Sequence, residues 1–134
     1  MKIGKVIFDK LSNDSTLNSL GYSTNIYPTM AQQGVDFPYI TYSVVDDEPI
    51  MSKSTSAGSL ADIDEKKIEI NIFSESYSNI VDASVAIIKS LNRFKGTNNS
   101  VVVDSINYDD TNDNFDQTRA VYIRTLDFIT RVKN

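Results

Sequence analysis

Histidine and cysteine are both absent from this chain of 134 residues. Histidine is the usual general base of enzymes and the commonest ligand of transition metals, and cysteine supplies thiolate ligands. Their absence excludes Ser-His-Asp and Cys-His catalysis, zinc sites built on these ligands, and disulfide bonds. An enzyme would have to use carboxylates, lysine, tyrosine or a hard metal ion. We therefore expect no catalytic residue and no enzymatic activity.

Basic charge and long apolar runs are also scarce. The formal net charge is −5, and lysine and arginine do not cluster strongly anywhere. Proteins that bind nucleic acid through its phosphates need a basic surface, so no specific nucleic-acid binding is expected. The apolar runs extend over no more than four residues, as in Val85–Ile88, whereas a membrane-spanning helix needs about 20. No membrane partner is predicted.

The hydrophobic pattern predicts two main helices in one domain, residues 1–134. Ile3, Val6, Ile7 and Leu11 fall on one helical face. Asp14 or Ser15 can cap a short turn after them, which Gly21 is expected to stop. A second apolar stripe runs from 77 to 91, after a possible cap at Ser74 or Ser76, and Gly96 is expected to end that helix.

Four segments have the composition or alternation of strands. They are Phe37–Val45, Ile63–Phe73, Val101–Tyr108 and Arg119–Val132, with a brief extended piece at Asn25–Pro28. The last segment is apolar at both odd and even positions, which predicts a central strand or one that a partner covers. The order of elements predicts an α+β fold, with an antiparallel or mixed sheet of about four strands and both main helices on one face.

A serine-rich, acidic stretch between two of these strands is predicted to be a mobile surface loop, residues 46–62. Loops longer than about 12–15 residues are usually either functional or disordered. The candidate interface residues in this loop are Asp46, Asp47, Glu48, Ser52, Lys53 and Ser54. Three consecutive carboxylates point in different directions, which favours a solvated loop over a metal or acid-base site.

The segment from Asp109 to Gln117 is acidic and is predicted to be a hairpin turn. The pattern Asp110-x-Asn112-x-Asn114-x-Asp116 has some likeness to a calcium loop, which needs glycine at its sixth and glutamate at its twelfth position. Phe115 and Val121 stand there instead, so no metal site is expected. A binding module that uses residues 109–116 for a cation or a basic partner remains the alternative function.

Arginine gives the C-terminal strand a basic bias, through Arg119, Arg124 and Arg131. Arginines on a strand can contact phosphate, but they more often pair with carboxylates across the sheet or across an interface. These three residues complete the candidate interface.

Several stretches, in order, resemble the tail-completion (tail-terminator) proteins of long-tailed phages. The first runs from Ile26-Tyr27-Pro28 through Ala31-Gln32-Gln33-Gly34 into Phe37-Pro38-Tyr39-Ile40-Thr41-Tyr42. The second is the alternating strand that enters a helix, Ile68-Glu69-Ile70-Asn71-Ile72-Phe73-Ser74-Glu75-Ser76-Tyr77. The third is Arg124-Thr125-Leu126-Asp127-Phe128, similar to the closing strand of that family.

The resemblance implies a structural virion protein. Members of the family form a ring, usually a hexamer, at the head-proximal end of the tail tube. The ring ends tube growth and joins the tail to the head connector, without catalysis or cofactor. It implies that the partners are further copies of the chain, the tail-tube protein and the connector protein, and that DNA passes through the lumen without specific binding. The implied location is the virion, assembled in the cytoplasm of a bacterial host.

Overall fold

Local side chains determine where the helices begin and end. The structure, a computed structural model, describes residues 2–22, 24–29, 36–50 and 63–133. Its helices are α1 (Lys2–Ser12), α2 (Ser15–Leu20) and α3 (Tyr77–Leu91). The Asp14 carboxylate accepts a hydrogen bond from the N–H of Leu17, and Gly21 ends α2 with a φ of 102°. Ser76 caps α3 by accepting a hydrogen bond from the N–H of Asn79.

The described residues form one mixed sheet of six strands, in the order β1-β2-β3-β6-β5-β4. The strands are β1 (Ile26–Pro28), β2 (Tyr39–Ile50), β3 (Ile63–Ser74), β4 (Gly96–Asn98), β5 (Val101–Asp116) and β6 (Val121–Lys133). β1 is parallel to β2, and all the other neighbouring pairs are antiparallel. β6 therefore lies between β3 and β5, which confirms the prediction that the C-terminal strand is central.

The core lies between the helices and one face of this sheet. In the central pair, Ile70 of β3 is in register with Leu126 of β6, and Ile68 is in register with Phe128. All four side chains are almost fully buried, and they belong to the same cluster as the apolar faces of the helices. The helix residues of that cluster are Ile3, Val6, Ile7, Leu11, Leu17, Ile80, Ala83, Ala86, Ile87 and Leu91. The fold is thus α+β, with its helices on one face as predicted.

The sheet has more strands than the predicted four, because two short strands lie at its edges. β1 and β4 contain three residues each. Gly96 was expected to end the second main helix, but α3 already ends at Leu91 and Gly96 begins β4. The backbone of Gly96 has a φ of 148°, which lies in the region that favours glycine. The positive φ needed at the start of β4, rather than termination of the helix, therefore explains why glycine is found at this position.

The predicted boundaries of two loops are wrong, because strands extend into both segments. Residues 46–50, predicted to open a mobile loop, continue β2 and pair with residues 63–67 of β3. Residues 51–62, the remainder of that loop, lie outside the described residues. The acidic segment 109–116, predicted to be a turn, continues β5 and pairs with β6, and the connection between these strands is residues 117–120. Long-range pairing has overridden the local preference of aspartate and asparagine for turns.

Replacing Phe128 with alanine is expected to destabilise the fold by about 3–5 kcal/mol, because it leaves a cavity beneath α3. Val102, on β5, is 40% exposed, and Val102→Ala serves as the control with an expected change within about 0.5 kcal/mol. Urea denaturation followed by circular dichroism measures both changes. Equal losses of stability in the two variants would contradict the core described above.

Candidate interaction surfaces

The turn between β5 and β6 is organised around one carboxylate. Asp116 accepts hydrogen bonds from the backbone N–H groups of Thr118 (3.0 Å) and Arg119 (3.3 Å). The Nε of Arg119 also donates to this carboxylate, at 2.8 Å. The hydrogen bond from the Arg119 side chain is the main reason why the pKa of Asp116 lies below its ordinary value. Arg119 therefore pairs within its own turn, with 46% of its side chain exposed.

The same arginine reaches an aromatic cluster on the sheet face away from the helices. Arg119 donates to the hydroxyl of Tyr39 (3.3 Å), and its guanidinium lies 5.7 Å from the ring of Phe37 and 5.9 Å from that of Phe73. Tyr39 stacks between these rings, with centroid distances of 5.3 Å to Phe37 and 4.5 Å to Phe73. Cation–π and stacking contacts of this kind tie the turn to the start of β2. Sequence reasoning missed this cluster.

Arg124 connects β5, β6 and α3. Its Nε and Nη2 form a two-pronged contact with the carboxylate of Asp113, at 2.7 and 2.9 Å. Its Nη1 donates to the hydroxyl of Ser84 (3.0 Å), and Nη2 donates to that of Tyr77 (3.2 Å). The arginine side chain is only 14% exposed, and its hydrogen bonds hold the pKa of Asp113 below the ordinary value. A bidentate pair of this geometry fixes both partners.

Arg131 pairs with its register partner on β3. Its Nε lies 3.6 Å from Oε1 of Glu65, and both side chains are substantially exposed. An exposed pair at this distance contributes little stability, about 0–1 kcal/mol. All three candidate arginines thus contact carboxylates within the chain, as arginines on strands commonly do.

The acidic candidates lie on β2, whereas Arg124 and Arg131 lie on β6. Asp46, Asp47 and Glu48 belong to β2, where their backbones are in register with residues 67, 66 and 65 of β3. Ser52, Lys53 and Ser54 lie outside the described residues. Through the shared partner Glu65, Glu48 and Arg131 lie in one row across the sheet. The role of the candidate residues at an interface remains a prediction.

An acidic group lies on the sheet face opposite the helices. Asp127 of β6 is in register with Glu69 of β3 on one side and with Asp110 of β5 on the other. Burial is the main reason why the pKa of Asp127 is raised, and the charges of Glu69, Asp110 and Asp109 raise it further while that of Lys67 lowers it. Within the described residues, no group of three carboxylates has a geometry that holds a metal ion.

An aromatic groove lies between α3 and the outer half of β5. We define it by Tyr77, Ile80, Asp113, Asn114, Phe115 and Tyr122, which line a cavity of about 450 Å³. The ring of Tyr122 lies 5.4 Å from that of Tyr77 and 4.9 Å from that of Phe115. The groove was not predicted from the sequence. Phe115 could have indicated it, because it is the single apolar residue among the polar residues of 109–116.

The fold resembles that of a protein from a virus-like particle. A chain in the solved structure of the virion of a native gene transfer agent particle superimposes with a TM-score of 0.78 and 13% sequence identity. The match covers 96% of this chain and 92% of that chain. No family model and no curated protein matches the sequence. Among the described residues, no helix is long and apolar enough to cross a membrane.

Two aspartates on β5 and β6 are expected to affect stability in opposite directions. At pH 7, Asp113→Asn should destabilise the fold by about 1 kcal/mol, because it removes a partly exposed bidentate pair. Asp127→Asn should stabilise the fold at pH 7, because burial and neighbouring acids disfavour its charge. Urea denaturation between pH 7 and pH 3 measures both differences.

The difference in stability between each variant and the parent chain should also disappear over a separate pH range. The stabilisation from Asp113, whose pKa is lowered by folding, is complete above the ordinary value of 3.8 and is lost as the pH falls further. The penalty from Asp127, whose pKa is raised, should begin to fade at a pH above 3.8. If the stability differences of the two variants did not change with pH, the pKa shifts described for Asp113 and Asp127 would be ruled out.

Proposed function

We propose that this protein is a structural component of a phage-type virion that forms a ring at the head-proximal end of a tail tube. In this role it ends growth of the tube and joins the tail to the head connector, without catalysis. The main support is the likeness in fold, over 96% of the chain, to a chain of a gene transfer agent virion. The order of the motifs from residue 26 to residue 128 supports the tail-terminator assignment.

The chemistry of the chain is compatible with a purely structural role. With no histidine or cysteine, catalytic arrangements of the Ser-His-Asp and Cys-His kind cannot form. The groups with shifted pKa values that lie on the surface, Asp113 and Asp116, form ion pairs with arginines that hold β5 and its turn in place. Their shifts therefore reflect structural ion pairs.

The charge of the chain suits the passage of DNA. Six copies at −5 each would carry a formal charge of −30. A wall of that sign repels phosphate, so DNA would pass through the lumen without adhering to it. The acidic sheet face around Asp127, Glu69 and Asp110 is the surface best suited to face the lumen. This orientation belongs to the proposal.

A monomeric module that binds a cation or a basic partner through residues 109–116 is less well supported. In this strand Asp110 and Asp116 point to the same face but lie about 20 Å apart along it, while Asp113 points to the other face, so these carboxylates do not converge on one ion. Two of its four carboxylates, those of Asp113 and Asp116, already bind Arg124 and Arg119. We therefore favour the ring.

Electron microscopy of tails produced with and without this chain tests the proposed function. With the chain present, we expect tails of uniform length that carry a terminal ring at the end that meets the head. Without it, the tube should continue to grow and heads should remain unattached. Uniform, head-bearing tails in the absence of the chain would refute the assignment.

A further inference from the structure

We propose that Asp110 and Asn114 close the free edge of β5 to strand addition, so that two copies of this chain do not join their sheets through it. Each of the two side chains occupies the backbone N–H of the residue that follows it. Such a block acts on the free chain, and it does not depend on the ring proposed above.

An uncovered strand at the edge of a sheet is a liability for any chain. Its unpaired N–H and C=O groups can pair with the edge of a second molecule, which leads to aggregation. Within the described residues, β5 has such an edge from 109 to 116, where β6 pairs with one side of the strand and no strand pairs with the other. Strands in globular proteins are usually about 3–10 residues long, so a segment of this length can support pairing.

The first half of the same edge is covered by other parts of the chain. β4 pairs with residues 101–103. Beyond β4, the backbone N–H of Arg93 donates to the carbonyl of Ile106 (2.7 Å), and the side-chain oxygen of Asn92 accepts from the N–H of Tyr108 (3.0 Å). This side of β5 is therefore protected as far as Tyr108, where an asparagine side chain already acts as a cap.

Side chains of the strand itself continue this pattern. The N–H of Thr111 donates to Oδ1 of Asp110, and that of Phe115 donates to Oδ1 of Asn114, both at 2.8 Å. These amides bond side chains rather than β6, and alternate residues of an antiparallel strand turn their N–H groups to the same side. Asp113 shares that side with them. Two of the three outward amides are thus occupied, and a second strand would find a donor only at Asp113.

The backbone of the segment adds to the block. A bulge interrupts the register with β6 between Tyr108 and Asp110. Bulges twist an edge out of line and are one of the ways in which natural sheets avoid edge-to-edge pairing. Asp110 also carries a charge that opposes a second acidic segment, so the variants described next separate its charge from its hydrogen bond.

The test variant carries Asp110→Ala with Asn114→Ala, which removes both capping oxygens. Both side chains are exposed, so the circular dichroism spectrum should stay that of the parent chain. In sedimentation velocity over a wide range of protein concentration, we expect the test variant to form species larger than those of the parent chain. Their share should increase with concentration. A test variant that sediments like the parent chain at every concentration would overturn the proposal.

The matched control carries Asp110→Asn with Asn112→Ala. It loses the same single negative charge and also gains an alanine on this strand, but it keeps an oxygen at both capping positions. Asn112 lies between the two caps, is exposed, and forms no side-chain hydrogen bond among the described residues. The control should sediment like the parent chain. Association equal to that of the test variant would show that charge or side-chain size, and not capping, keeps the copies apart.

Amide hydrogen exchange locates the contact in the same samples. At low concentration, the amides of Thr111 and Phe115 should exchange faster in the test variant than in the parent chain, because their caps are gone. At high concentration, the amides of residues 111–115 should become protected as the edges of two copies pair. Association without protection of these amides would place the contact elsewhere and overturn the proposal.

Discussion

The pairing of β3 with β6 in the middle of the sheet places two rows of apolar side chains beneath α3. Ile70 stands beside Leu126 and Ile68 beside Phe128, and all four are almost fully buried. A slip of one residue would turn every one of these side chains to the opposite face. The register of this pair is therefore strongly specified, and the positions of β2 and β5 on either side follow from it.

The length of β5 explains why part of the helix-facing side remains uncovered. β4 pairs with residues 101–103, and the segment after α3 covers the next part of β5, because Arg93 donates to the carbonyl of Ile106 and Asn92 accepts from the N–H of Tyr108. Within the described residues, 109–116 therefore form a free edge of the sheet. Two amides of that segment are taken by neighbouring side chains, because the N–H of Thr111 donates to Asp110 and that of Phe115 donates to Asn114, both at 2.8 Å. Together with the aspartates, these contacts hinder the addition of another strand. A partner at this edge is thus better accommodated by the aromatic groove than by backbone pairing.

Features set by neighbouring residues could be predicted from the sequence. The cap at Asp14, the termination of α2 at Gly21 and the cap at Ser76 each depend on residues within one helical turn. The alternation in β3 also predicted its buried face correctly. These elements were predictable because their signals and their structural causes occupy the same short stretch of chain.

Features set by distant residues could not be predicted in this way. The segment 109–116 has the composition of a turn, yet Asp113 is held in a strand by pairing with Arg124, eleven residues further on. The contact of Arg119 with Tyr39 crosses 80 positions. The aromatic groove likewise combines residues of α3, β5 and β6. No pattern within a single element indicates such a site, although the lone Phe115 was a sign of it.

The central strand also separates two kinds of carboxylate. On the helix side, Asp113 binds Arg124, so its charge is balanced where the groove walls meet. On the opposite side, Asp127 lies between Glu69 and Asp110, and its pKa is raised mainly by burial, while Lys67 offsets part of the effect of the neighbouring acids. Neutralising Asp127 would remove the free-energy penalty that its charge imposes on the folded state. Under the proposed function the penalty has a purpose, because a negative face that does not bind phosphate is what a channel for DNA requires.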